Sequence, residues 1–139
     1  MFKRILVALD GSPLAEQILP HVKELAVQSK ATIFLLRVAL AHTFPGVDPT
    51  EHQVKVVAEA EEYIERLRQQ MAGEGLKVQA AVRYGHDAEE ILDHSEMNEI
   101  DLVAMSTHGR SGVRRWVLGS VAEKVLRHSK VPILLFRAA

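Results

Sequence analysis

The residues best suited to holding a phosphate group lie in one stretch near the end of this sequence. Thr107-His108-Gly109-Arg110-Ser111-Gly112 leads on to Gly119-Ser120. Glycine lets a backbone come close to an anion, and the N–H groups at a helix start, backed by the helix dipole, favour negative charge. No aspartate or glutamate occurs from Leu102 to Ala122, whereas Arg110, Arg114 and Arg115 all fall there. The chain carries a formal net charge of -1, so this is a local cationic zone in a balanced molecule. A second candidate, Asp10-Gly11-Ser12, lies far away in sequence. Each piece also has a purely structural reading. Ser120 and Glu123 have the spacing of a capping box, Asp10 suits a strand-end turn, Gly109 and Gly112 suit turns, and the arginines suit a solvated face.

Whether these pieces meet depends on the elements that carry them. Runs of β-branched and leucine residues occur at Ile5–Leu9, Thr32–Leu40, Val78–Val82, Leu102–Met105 and Val131–Phe136. Each is about strand length and apolar on both faces, as a buried parallel sheet requires. Stretches of helical period lie between them. Leu14, Ile18, Val22, Leu25 and Ala26 form one stripe, and Val54, Val57, Ala58, Ile64, Leu67 and Met71 another. Ala88, Ile91, Leu92 and Ser95 form a third, and Val121, Ala122, Val125 and Leu126 a fourth. Ser12-Pro13 reads as a helix cap followed by proline in the first turn. Asp87 with Glu90, and Ser120 with Glu123, read as capping boxes, and Gly73-Glu74-Gly75 closes the second helix. The segment Ala41–His52, with Pro45, Gly46 and Pro49, reads as one long irregular connection. Strict alternation of strand and helix predicts an α/β fold, a single open five-stranded parallel sheet with helices on both faces. Ligands of such sheets bind at the carboxyl ends of the strands. Asp10 follows the first strand and Ser106-Thr107 the fourth, so the candidates converge on one end.

Composition narrows the functional classes. The 139 residues read as one domain, 47% apolar and 25% charged, within the range of globular proteins. The charge balance gives no reason to expect nucleic acid or an anionic membrane as a partner. Absence of cysteine removes thiol nucleophiles, thiolate metal sites and disulfides, and suits a reducing, cytoplasmic setting. The apolar run Ile5–Leu9 is too short for a membrane span. A receiver-type signalling domain would need an acidic residue at the end of the third strand, where Arg83-Tyr84-Gly85 stands. Neither a P-loop nor a dinucleotide fingerprint is present. The seven histidines show no ligand spacing, and no metal site is expected. His108 borders the glycine loop and reads as an exposed turn residue or a phosphate donor; Trp116 reads as packing. No nucleophile–base pair or carboxylate dyad is apparent, so no catalytic residue is assigned.

The stretch from Asp101 to Arg137 resembles the C-terminal signature of the universal stress protein family, and Ile5-Leu-Val-Ala-Leu-Asp-Gly-Ser12 is similar to that family's first strand and turn. The family's ATP-binding members carry glycine, two residues, glycine, nine residues, then glycine and serine or threonine. Here the second glycine is Gly109, the nine residues are Arg110–Leu118, and the closing pair is Gly119-Ser120. Ser106 stands where the first glycine belongs, adding a Cβ and a hydroxyl where the family has neither. The resemblance implies strand order 3-2-1-4-5, the adenine nucleotide alpha hydrolase-like arrangement, with ATP as ligand. It places Asp10 on the ribose or adenine side, the Val38 backbone at the adenine, and Gly109, Gly112, Gly119 and Ser120 around the phosphates. Ser106, Thr107 and Arg110 complete the expected site, and Asp10 is the candidate to hold Mg2+. The resemblance further implies a homodimer formed through Val131–Phe136, an apolar strand whose open edge calls for cover.

The leading expectation is a nucleotide-responsive binding module in a stress response. Two alternatives stay open at this stage: a dimeric interaction protein that binds no nucleotide, and a weak ATPase or autophosphorylating protein using Ser111 or Ser120. A Gly119→Val substitution is expected to abolish binding and leave the fold intact.

Overall fold

The computed structural model describes residues 1–41, 45–108 and 118–138. Five strands, β1 (Arg4–Leu9), β2 (Thr32–Leu40), β3 (Val78–Gly85), β4 (Leu102–Ser106) and β5 (Ile133–Phe136), form one sheet in the order β3-β2-β1-β4-β5. Every pairing is parallel. Fold class and strand order thus match the sequence reading. β1, the central strand, pairs with β2 from Arg4 opposite Thr32 to Leu9 opposite Arg37, and with β4 from Ile5 opposite Leu102. Its start is clamped by Asp101, whose carboxylate accepts from the backbone N–H groups of Lys3 (2.8 Å) and Arg4 (3.1 Å).

Two-residue alternation divides the strand side chains between two cores. Ile5, Val7, Leu9, Ile33, Leu35, Leu102 and Ala104 face α1 (Pro13–Glu16), α2 (Leu19–Ser29) and α3 (Pro49–Gly73). Leu6, Ala8, Leu36, Val38, Val103 and Met105 face α4 (Asp87–Met97) and α5 (Ser120–His128). In α4, burial and the nearby Arg83 charge hold the His94 imidazole below the ordinary histidine range.

Several local expectations are corrected. The first helical stripe is two helices, because Pro20 stands in the first turn of α2 and supplies no N–H to continue α1. The irregular connection is shorter than Ala41–His52: the Asp48 carboxylate accepts from Thr50 N at 3.0 Å and starts α3 at Pro49. Residues 42–44 lie outside the description. β5 begins at Ile133 rather than Val131, since Pro132 has no N–H to donate. Neither expected capping box forms. The N-caps of α4 and α5 are His86 and Gly119, one residue earlier in each case, and neither N-cap residue makes a side-chain cap hydrogen bond.

Candidate functional site

The carboxyl ends of β1 and β4 each run straight into a candidate residue. After β1, Asp10 Oδ1 accepts from Ser12 N at 2.9 Å, turning the chain through Gly11, whose φ of 87° favours glycine. Ser12 Oγ then accepts from Ala15 N at 3.1 Å and caps α1. After β4, Thr107 N donates to Phe136 O at 2.9 Å, and the chain returns at Gly119, whose N–H donates to Thr107 O at 3.0 Å. A Cβ at Gly119 would stand 2.6 Å from that same carbonyl oxygen, so only glycine fits. Gly119 is extended (φ -59°, ψ 150°), and α5 begins behind it with no side-chain cap from its N-cap residue.

Between these two ends lies a cavity of about 240 Å³. Asp10, Val38, Ser106, Thr107, Gly119 and Ser120, all singled out from the sequence, line it together. Gly109, Arg110 and Gly112 lie outside the described residues, as do Arg114, Arg115 and Trp116. One wall is apolar, built by Ala8, Leu36, Ile91, Met105 and Val121, largely from the core facing α4 and α5. Asp87, His108 and Ala122 also reach it. β1 pairing stops at Leu9 opposite Arg37, while β2 runs on to Leu40. Val38 therefore sits on a stretch of sheet edge that extends past β1.

The departure at Ser106 has a clear structural role. Its Oγ lies 2.9 Å from Leu14 O and 3.1 Å from Ala15 O, with the residue buried. These partners belong to α1, on the face away from the apolar wall, because Ser106 is out of phase with Met105. The hydroxyl donates to helix carbonyls. The positive φ angles of described non-glycine residues are those of Lys30 and Glu99, so Ser106 is ordinary strand. Thr107 Oγ1 is 3.1 Å from His108 Nδ1 and accepts from Ala138 N at 3.2 Å, tying the site to the chain's last described residues.

The apolar wall went unread in the sequence. Leu36 and Ala8 stand two residues before Val38 and Asp10, so strand period alone would have placed them at the same end of the sheet. Asp87 was read only as a cap. Ile91 and Met105 were read as core and strand, and nothing local marks them as cavity lining.

The universal stress protein family model matches residues 1–137. The chain belongs to the universal stress protein family. Universal stress protein YxiE of Bacillus subtilis is 32% identical over 152 aligned residues, covering 99% of this chain and 100% of that protein. The solved structure of MJ0577, a universal stress protein of Methanocaldococcus jannaschii, matches with a TM-score of 0.91 at 30% identity, covering 100% of this chain and 98% of that one. A universal stress protein of Arabidopsis thaliana, solved with AMP bound, shares the fold at a TM-score of 0.72 and 17% identity, covering 99% of this chain and 92% of its own. Among the described residues, no helix of this family member is long and apolar enough to cross a membrane.

Proposed function

We propose that the cavity at the ends of β1 and β4 binds an adenine nucleotide, ATP with Mg2+, and that the protein is a nucleotide-responsive stress module. One observation carries the reading: an apolar wall and the start of α5, whose N-cap residue has no side chain, face the same small cavity. A nucleotide needs both, an apolar slot for its base and unengaged backbone donors for its phosphates. In this reading the sheet edge at Val38 meets the adenine, Asp10 faces the sugar, and Thr107, Gly119 and Ser120 meet the phosphates. Ser106 contributes through its backbone only. Gly109, Arg110 and Gly112 are the further residues assigned to the phosphate side. Binding of AMP by a protein of the same fold supports the choice of adenine nucleotide.

The donor set suits a hard divalent cation. Asp10 and Asp87 bring carboxylates to the cavity, and one carboxylate with phosphate oxygens and water makes a complete Mg2+ shell. The ion would neutralise phosphate charge there. Residues 1–139 would act as one cytoplasmic domain, paired with a second copy through the apolar edge strand β5. Isothermal titration of the purified protein with Mg-ATP tests the reading. The expected result is saturable binding together with adenine nucleotide in the mass spectrum of the undialysed protein. No heat at millimolar nucleotide refutes it. Labelled-phosphate release faster than one turnover per minute would move the protein to the ATPase alternative.

A further inference from the structure

Behind Asp10, on the sheet face away from the apolar wall, four elements meet in a polar cluster. Arg37 follows Ile33 and Leu35 on that face of β2, while its neighbour Val38 faces the cavity. The Arg37 guanidinium lies over the Tyr63 ring of α3, 5.1 Å from its centroid. Tyr63 OH donates to Glu16 Oε2 of α1 at 2.8 Å. The other side of the guanidinium packs on the β1–α1 turn. A Cβ at Gly11 would run into it, with Cζ 3.1 Å away. The cation thus packs between the face of an aromatic ring and the turn that follows Asp10, surroundings that hold an arginine in one place. Burial, followed by the hydrogen bond to Glu16, pushes the Tyr63 phenol well above the ordinary tyrosine range, and the Asp10 charge acts in the same direction. The phenol therefore remains a donor.

We infer that Arg37, backed by Tyr63 and Glu16, is a positioning residue: it presses the Asp10-Gly11 turn from behind and sets the Asp10 carboxylate against the sugar hydroxyls of the bound nucleotide. The inference deepens the nucleotide reading and rests on it. Arg37 is not among the residues that line the cavity, so it acts through the turn and not by contact with the ligand.

The test compares ATP with 2′,3′-dideoxy-ATP by isothermal titration on the full chain. Hydrogen bonds from two hydroxyls to a fixed carboxylate give wild type a preference for ATP of about tenfold. In Arg37→Met that preference falls below about threefold while affinity for the dideoxy nucleotide stays within about twofold, and Arg37→Lys restores part of it. Asp10→Asn also loses the preference, whatever it costs both nucleotides through Mg2+, and the double variant loses no more of the preference, as coupled residues require. Tyr63→Phe, which removes only the hydroxyl, reduces the preference by a smaller factor and provides the reading if Arg37→Met does not fold. A preference that survives in Arg37→Met, equal loss of both nucleotides, or no preference in wild type overturns the inference alone. Wild type that binds neither nucleotide overturns the nucleotide reading and the inference together.

Discussion

Two helix starts stand side by side at the carboxyl end of the sheet, and they are finished in opposite ways. At α1, Ser12 is itself the N-cap, and its hydroxyl takes up Ala15 N. At α5, Ser120 stands one position later, inside the helix, and the N-cap is Gly119, which has no side chain to offer. The cause of this one-residue shift is a backbone contact. Gly119 N is bound to Thr107 O, and the space beside that carbonyl is too small for a Cβ. The difference teaches where an anion can go. α1 is short and served by its own serine, with the Asp10 carboxylate at its entrance, whereas α5 brings its first turn to the cavity without a cap from its own N-cap residue. The sugar side of a nucleotide belongs at β1 and the phosphate side at β4.

Breaking the α5 side should have the largest effect. Gly119→Val forces a side chain against the Thr107 carbonyl, and overpacking of that kind costs about 1–3 kcal/mol. Nucleotide binding should fall below detection in titration calorimetry, with a Tm lowered by roughly 2–8 °C. The fold is retained but not unperturbed, which sharpens the expectation drawn from sequence. If Gly119→Val binds as well as wild type, α5 is not the phosphate end.

Restoring the family glycine by Ser106→Gly removes a buried hydroxyl bonded to α1 and adds chain entropy in a strand. Together these cost about 1–2 kcal/mol in urea unfolding. Nucleotide affinity should change less than threefold. A gain of tenfold or more would mean that the serine obstructs the ligand after all.

The paired serines give a direct contrast. Ser12→Ala should lower stability by about 1 kcal/mol through loss of the α1 cap. Ser120→Ala, at a position that caps nothing, should stay within about 0.5 kcal/mol. Equal losses in the two urea titrations would restore the capping-box assignment at Ser120 and undo the contrast.

The smallest effect concerns the packing behind the β1 turn. The Tyr63 phenol is raised in the folded state, so above the unfolded tyrosine value of about 10 the unfolded chain ionises and the folded one does not. The stability Tyr63 contributes is therefore full below that pH and is lost as pH rises past it. Urea midpoints between pH 9 and pH 11 should fall more steeply for wild type than for Tyr63→Phe. Parallel slopes would show that the phenol ionises freely and that the cluster behind Asp10 is looser than its geometry implies.

Much of this molecule was legible from residue order. Five apolar runs separated by amphipathic stretches are enough to specify a parallel α/β sheet, because only helices on both faces can cover strands that are apolar on both sides. The same pattern put Asp10, Ser106 and Gly119 at one end of the sheet, since strand ends are set by where each apolar run stops. The 3-2-1-4-5 order came from the family resemblance and agrees with the observed sheet.

The residues that escaped this reading share a physical cause. The capping-box motif of Ser120 and Glu123 is identical whether or not Thr107 O lies beside Gly119, and that contact joins positions separated along the chain. Ser106 looked like a damaged phosphate contact, yet its hydroxyl bonds carbonyls of α1, which β4 meets only in the assembled fold. Arg37 had no sequence signature at all, being one charge in an apolar strand; Tyr63, Glu16 and Gly11 give it a setting from three separate elements. Local spacing, by itself, determined the elements and the end of the sheet where they converge. The tertiary structure alone decided which residue begins each helix and which carbonyls Ser106 bonds, because a hydrogen bond between distant residues has no period along the chain.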